Sequence, residues 1–178
     1  REIEEAIKDV ERVLRESEER NRRLIERIKR MLKKSEDENR KFIEDNKRLA
    51  DDLRRRNVPE EDVRRTIERS RRELEKLVKR DEDLLKRLEE ELRKLHEDDR
   101  RLLEELERKV EDIIRKRGRT EDVERLRKVI EEVKRRMKEL NERLKEELRE
   151  VAKRSRDLNK ELRESIEESA DRARRRRK

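Results

Sequence analysis

Arg55-Arg56-Asn57-Val58-Pro59-Glu60-Glu61-Asp62-Val63 is the stretch on which the fold turns. Asn57 can take the left-handed conformation that ends a helix, and Pro59 suits the first turn of the next. Glu60, Glu61 and Asp62 then complement the positive end of that helix. A second break stands at Gly118-Arg119-Thr120. Gly118 fits the position just past a helix end, and Thr120 can cap a new start before Glu121 and Asp122. The capping box there is incomplete, because Val123 stands where Glu or Gln would complete it. Nothing else in the sequence stops a helix. The breaks therefore predict helices over about 1–56, 59–117 and 120–178, each roughly 85 Å long at 1.5 Å per residue. Short loops make successive helices antiparallel neighbours. The expected fold class is all-α: a single-chain, antiparallel, up-down-up three-helix bundle, long and nearly straight, forming one unit over 1–178.

Composition agrees. Of the 178 residues 63% are charged, 28% hydrophobic and 1% aromatic, with one Gly, one Pro and no Cys. A sheet needs β-branched, aromatic and turn residues that this chain lacks. Without Cys there is no disulfide framework and no thiolate metal site. Lys and Arg total 60 against 52 Asp and Glu, a net charge of +8. Six of those positive charges lie between Arg172 and Lys178, so the excess belongs to a tail and not to a face. No apolar run could span a membrane and no targeting signal is present, so a soluble chain is expected. The sequence opens at Arg1 without Met and is expected to be part of a longer expressed chain.

Each helix carries one narrow apolar seam. The seams run from Ile3 to Leu53, from Val63 to Ile113 and from Val123 to Ala173, each covering 50 residues in 14 steps. A step of about 3.57 lies between a left-handed coiled coil and a straight helix. Eleven of the 45 seam positions are polar. Left unsatisfied, they would cost on the order of 10–30 kcal/mol, as much as a whole domain's stability.

Their numbering pairs them. Antiparallel facing residues share a constant sum, and Ser17 with Asp99, Ser35 with Asp81, and Asn46 with Ser70 all add to 116. Parallel facing residues share a constant difference. Asn21 to Asn141, Ser35 to Ser155 and Asn39 to Asn159 each differ by 120, and Asn46 to Ser165 by 119. Three polar layers are expected. One holds Ser17, Asn21, Asp99 and Asn141 with His96 beside them. The second holds Ser35, Asn39, Asp81, Ser155 and Asn159. The third holds Asn46, Ser70 and Ser165, with Thr66 and Ser169 about a turn away. The first two repeat each other at 18 residues, which is five turns of unstrained helix. Such layers specify register, because a slipped Leu seam changes little whereas a slipped polar layer loses its partners. Handedness stays open.

The layers, the equal helix lengths, the Asn57-Val58-Pro59 loop and the Glu/Lys/Arg/Asp surface resemble de novo designed helical bundles with buried hydrogen-bond networks. The resemblance covers the whole chain and implies a structural scaffold with no natural biochemical function, no enzyme activity and no cofactor. It also allows a base for a switch.

Chemistry-bearing motifs are absent or incomplete. His96-Glu97 opens like a helical zinc site, but position 100 is Arg. Asp81-Glu82-Asp83 opens like a calcium loop but lies inside a helix without the Gly. Asp81 and Asp99 are about 27 Å apart along one helix, too far for paired acid–base work. Met31 and Met137 read as gap-filling residues. His96 is a network or boundary residue whose charged form could pair with Asp99. The expected state is a monomer that requires no partner. Two alternatives remain: self-association or partner-helix binding along Ile25, Ile43, Val78, Leu85, Leu103 and Ile166, and weak nucleic-acid contact through Arg174–Lys178. No aromatic side chain is placed to stack bases, so no specific nucleic acid is expected.

Overall fold

The computed structural model describes residues 1–174. It consists of α1 (Glu2–Arg55), α2 (Glu60–Arg117) and α3 (Glu121–Arg174), joined by two short loops. The chain is a three-helix bundle. All three helices begin with acidic residues and end with basic ones, which complements the helix dipole at both ends.

The loops are built as helix stop signals require. Asn57 has φ +49°, in the left-handed region. Val58 N–H donates to the Leu53 carbonyl at 3.3 Å and Asn57 N–H to the Arg54 carbonyl at 3.2 Å. This crossed pair is a Schellman motif, and Val58 completes it by packing on the cluster that contains Leu53. Pro59 lies one step outside α2, and its carbonyl accepts from Val63 N–H at 3.1 Å. In the second loop Gly118 has φ +72°, and its N–H donates to the Ile114 carbonyl at 2.8 Å. The Thr120 hydroxyl accepts from Val123 N–H at 3.3 Å, the N-cap half of a capping box whose other half Val123 cannot make.

The sequence reading expects one unit over 1–178. Packing groups the residues into two compact units, each holding a segment of all three helices. Unit 1 comprises 1–27 and 88–149, and unit 2 comprises 28–87 and 150–178. In unit 1, Ile3, Ile7, Val10 and Leu14 of α1 pack with Val110 and Ile113 of α2 and Val123, Leu126, Ile130 and Val133 of α3. In unit 2, Ala50, Leu53, Val63, Ile67, Ala170 and Ala173 form one cluster, and Leu74, Val78, Leu162 and Ile166 form another. Fully burying one such Leu or Ile contributes about 1.5–3 kcal/mol.

Surface ion pairs report helix direction within each unit. In unit 1, α1 and α2 run antiparallel, with Arg117 on Glu2 at 3.0 Å and Arg27 on Glu91. In unit 2, α2 and α3 run antiparallel through Arg71–Glu167 at 3.0 Å and Arg174–Glu60 at 3.1 Å. There α1 and α3 run parallel through Glu36–Arg154 at 2.7 Å and Asp51–Arg172 at 3.5 Å.

Two seam expectations change. The buried stripe is locally two residues wide, because Val13, Val78, Ile166 and Ala170 are buried beside it. Val78 and Ile166 are therefore core and not a flank open to a partner. Leu49 is 38% exposed whereas its neighbour Ala50 is 3% exposed. The inward face steps from Asn46 by four residues and then by three, so the small Ala50 turns inward and Leu49 turns out.

Asn57→Gly is expected to leave stability within a few tenths of a kcal/mol, whereas Asn57→Ala lowers it by about 1 kcal/mol or more, because Cβ opposes the left-handed conformation. Urea unfolding of the two variants checks this ordering. Gly118→Ala should cost a similar amount from backbone strain alone, since nothing lies within 4 Å of the added Cβ.

Candidate functional site: the buried polar layers

Asp99 is 2% exposed in unit 1, and both its oxygens are occupied. Ser17 Oγ, on α1, donates to Oδ2 at 3.0 Å. Arg20 Nη2, one turn along α1, donates to Oδ1 at 3.0 Å and supplies the compensating charge. A buried carboxylate is tolerated only when paired and hydrogen-bonded in this way. Asn21 is equally buried, yet neither its Nδ2 nor its Oδ1 has a partner. Asn141, half-buried on α3, has an unpartnered Oδ1.

Asp81 is 3% exposed in unit 2 and is held by the same chemistry with one exchange. Ser35 Oγ donates to Oδ1 at 2.8 Å, and Asn39 Nδ2 donates to Oδ2 at 3.4 Å. The cation comes from α2 itself, with Arg80 Nη2 3.5 Å from Oδ1. Ser155 and Asn159 on α3 are buried, and Asn159 Oδ1 has no partner.

The repeat explains the exchange. Eighteen residues after Arg20 stands Glu38, and eighteen after Arg80 stands Asp98. In unit 1 the α1 arginine occupies Asp99 Oδ1, and Asn21 makes no bond to Asp99. In unit 2, Glu38 pairs with Arg80 and Asn39 reaches the carboxylate. Sequence reading missed Arg20, Arg80 and the Glu36–Arg154 pair. Arg80 with Glu38 and Arg27 with Glu91 share a second constant sum, 118, which marks the antiparallel rim, whereas Arg20 and the parallel pair Glu36–Arg154 fall outside it.

The third layer differs from its expectation. Asn46, Ser70 and Ser165 are all buried, but no hydrogen bond crosses between them. Asn46 Nδ2 donates to the Phe42 carbonyl of its own helix at 2.8 Å. Ser165 and Ser169 Oγ are without partners, and Thr66 Oγ1 donates to the Asp62 carbonyl at 2.8 Å. The physical reason is reach. This layer has Ser70 where the others have Asp, so no carboxylate extends from α2 toward α1.

His96 is half-buried, and its Nε2 is enclosed without a partner. Burial, followed by the positive charge of Lys145 on α3, holds its pKa below the usual histidine value, while Asp99 and Glu142 oppose this. The neutral imidazole is thus favoured in the folded chain, so the pairing of a charged His96 with Asp99 is not the preferred state. Asp99 is already engaged by Ser17 and Arg20.

Among the described residues, no group of three or more His, Asp or Glu could hold a metal ion, and no helix is long and apolar enough to cross a membrane. Of the basic tail, Arg174 pairs with Glu60 and 175–178 lie outside the described residues.

Fold and site together define an antiparallel three-helix bundle whose helices meet through buried Ser–Asp pairs as well as apolar seams. No family model and no curated protein matches the chain. Among solved structures it is similar to a computationally designed three helix bundle, at 21% identity and a TM-score of 0.49, over 96% of this chain and 82% of that one.

Because the folded pKa of His96 lies below the unfolded one, the unfolded chain takes up its proton first as pH falls through about 6.5. Stability should therefore fall from pH 7.5 to 5.5, and the loss from this source ends once the folded imidazole is also charged. Urea unfolding across that range should show a smaller decrease for His96→Gln. An undiminished decrease would assign the pH dependence to other groups.

Proposed function

We propose that this chain is a designed structural scaffold without catalytic activity, in which buried polar layers fix the register of the helices. One observation carries the reading. The same Ser-to-Asp bond from α1 to α2 occurs once in each unit, as Ser17–Asp99 and Ser35–Asp81, at an 18-residue spacing. A slipped register would strand both carboxylates away from their serines. Each lost hydrogen bond to a buried carboxylate costs about 1.5–3 kcal/mol, more than re-seating a Leu in a neighbouring Leu hole. The layer residues that recur at an 18-residue spacing support a planned origin.

The scaffold works as a monomer and requires no partner. The burial of Val78 and Ile166 supports this, as does Leu49 being the one large hydrophobic residue exposed among the described residues. Sedimentation equilibrium should return a single species of 22.3 kDa. A stable dimer would move the reading to an interaction module.

The register role has its own test. Replacing Ser17, Ser35, Asp81 and Asp99 together by Leu should keep the helical circular dichroism but multiply the amide signals in a heteronuclear NMR spectrum. A single sharp set of signals would show that apolar packing alone selects the register.

A further inference from the structure

We infer that the third layer holds one ordered water molecule, bound in unit 2 by Asn46, Thr66, Ser70 and Ser169. The inference stands apart from the scaffold reading and concerns only how this layer satisfies its polar groups. These four residues line a small pocket, partly open to solvent beside Leu49, together with apolar neighbours that include Ala50 and Ala173, and it leaves about 20 Å³ for the centre of a water molecule. About 10–15 Å³ is enough for one water, provided that two to four polar partners surround it. The volume is too small for a larger ligand.

The polar partners are present and uncommitted. Ser169 is 9% exposed, and its Oγ has no partner. Asn46 spends its Nδ2 on the Phe42 carbonyl, which leaves Oδ1 as an acceptor. Thr66 spends its proton on the Asp62 carbonyl, which leaves its oxygen lone pairs. Ser70 is 9% exposed and can donate or accept. A water accepting from the Ser169 hydroxyl and donating to Asn46 Oδ1 would link α3 to α1, with Ser70 adding α2. It supplies the reach that Asp81 and Asp99 provide in the other two layers. The three alanines Ala50, Ala170 and Ala173 in the adjoining cluster explain why room is left, because a methyl group fills less of the space between helices than a Leu.

The test reads water through groups that do not exchange protons with it. Ala50 and Ala173 are 3% and 2% exposed, so bulk water does not reach their methyl groups freely. In NOESY and ROESY spectra of the intact chain, the Ala50 and Ala173 methyls should show water cross-peaks of the sign given by residence longer than about a nanosecond. The Val123 methyls, fully buried in the unit 1 core, should show none. Ser169→Val fills the cavity and should abolish the Ala50 peak while leaving the unit 1 amide signals in place. If that variant does not fold, Ser70→Val serves the same purpose. Absence of the methyl–water peaks in the unaltered chain would overturn the inference. So would peaks that survive the filled cavity, or a high-resolution crystal structure with Ser169 Oγ bonded directly to Asn46 or Ser70.

Discussion

Two carboxylates set the conditions that the rest of this bundle must meet. Asp99 and Asp81 each lie almost entirely out of solvent. An ionised carboxylate in such a place is viable only with donors on both oxygens and a cation nearby. Ser17 and Ser35 provide the donors from α1, and Arg20 and Arg80 provide the cations. The serines and Arg20 lie on another helix from the carboxylate they serve, whereas Arg80 precedes Asp81 on α2. The apolar residues above and below supply most of the stabilisation, but their geometry is permissive. In the scaffold role proposed above, the carboxylates make one alignment of α1 against α2 better than its neighbours.

The layers show three solutions to one problem. In unit 1 the arginine comes from α1 and takes an oxygen that the asparagine takes in unit 2. The exchange follows from a charge swap at repeat-equivalent positions, Arg20 against Glu38 and Asp98 against Arg80. Asn21 is consequently left with no direct partner, at a cost its counterpart Asn39 partly avoids through Asp81. The third layer has no charge at all. A serine in place of aspartate shortens the α2 side chain, and Asn46 turns back to its own helix. Polarity at a matching number is therefore not sufficient for a bond; the side chain must also be long enough to cross between helices.

Much of the architecture was legible because each signal was local or periodic. Asn57, Gly118 and Thr120 act through their own backbone conformation or a bond within one turn, so their roles follow from residue type. The three helices follow from long periodic seams between those points. The constant sum of 116 is a consequence of helix geometry about a short loop, and it sets Ser17 opposite Asp99 and Ser35 opposite Asp81. Arg20 was not legible in the same way. It is a surface-type residue among many arginines, and only the position of Asp99 Oδ1 distinguishes it.

What the sequence determined by itself was the number of helices, the two breaks between them, their order and the pairing of two buried carboxylates, because these depend on 3.6-residue periodicity and on chain closure. What only the tertiary structure decided was which polar atom meets which. That outcome depends on side-chain length and rotamer in a packed cross-section. It turned Ala50 inward and Leu49 outward, occupied Asp99 with Arg20, and left the hydroxyl of Ser169 beside a small cavity. Differences of a few ångströms between three helices carry no periodic signature, so they appear only once the helices are packed.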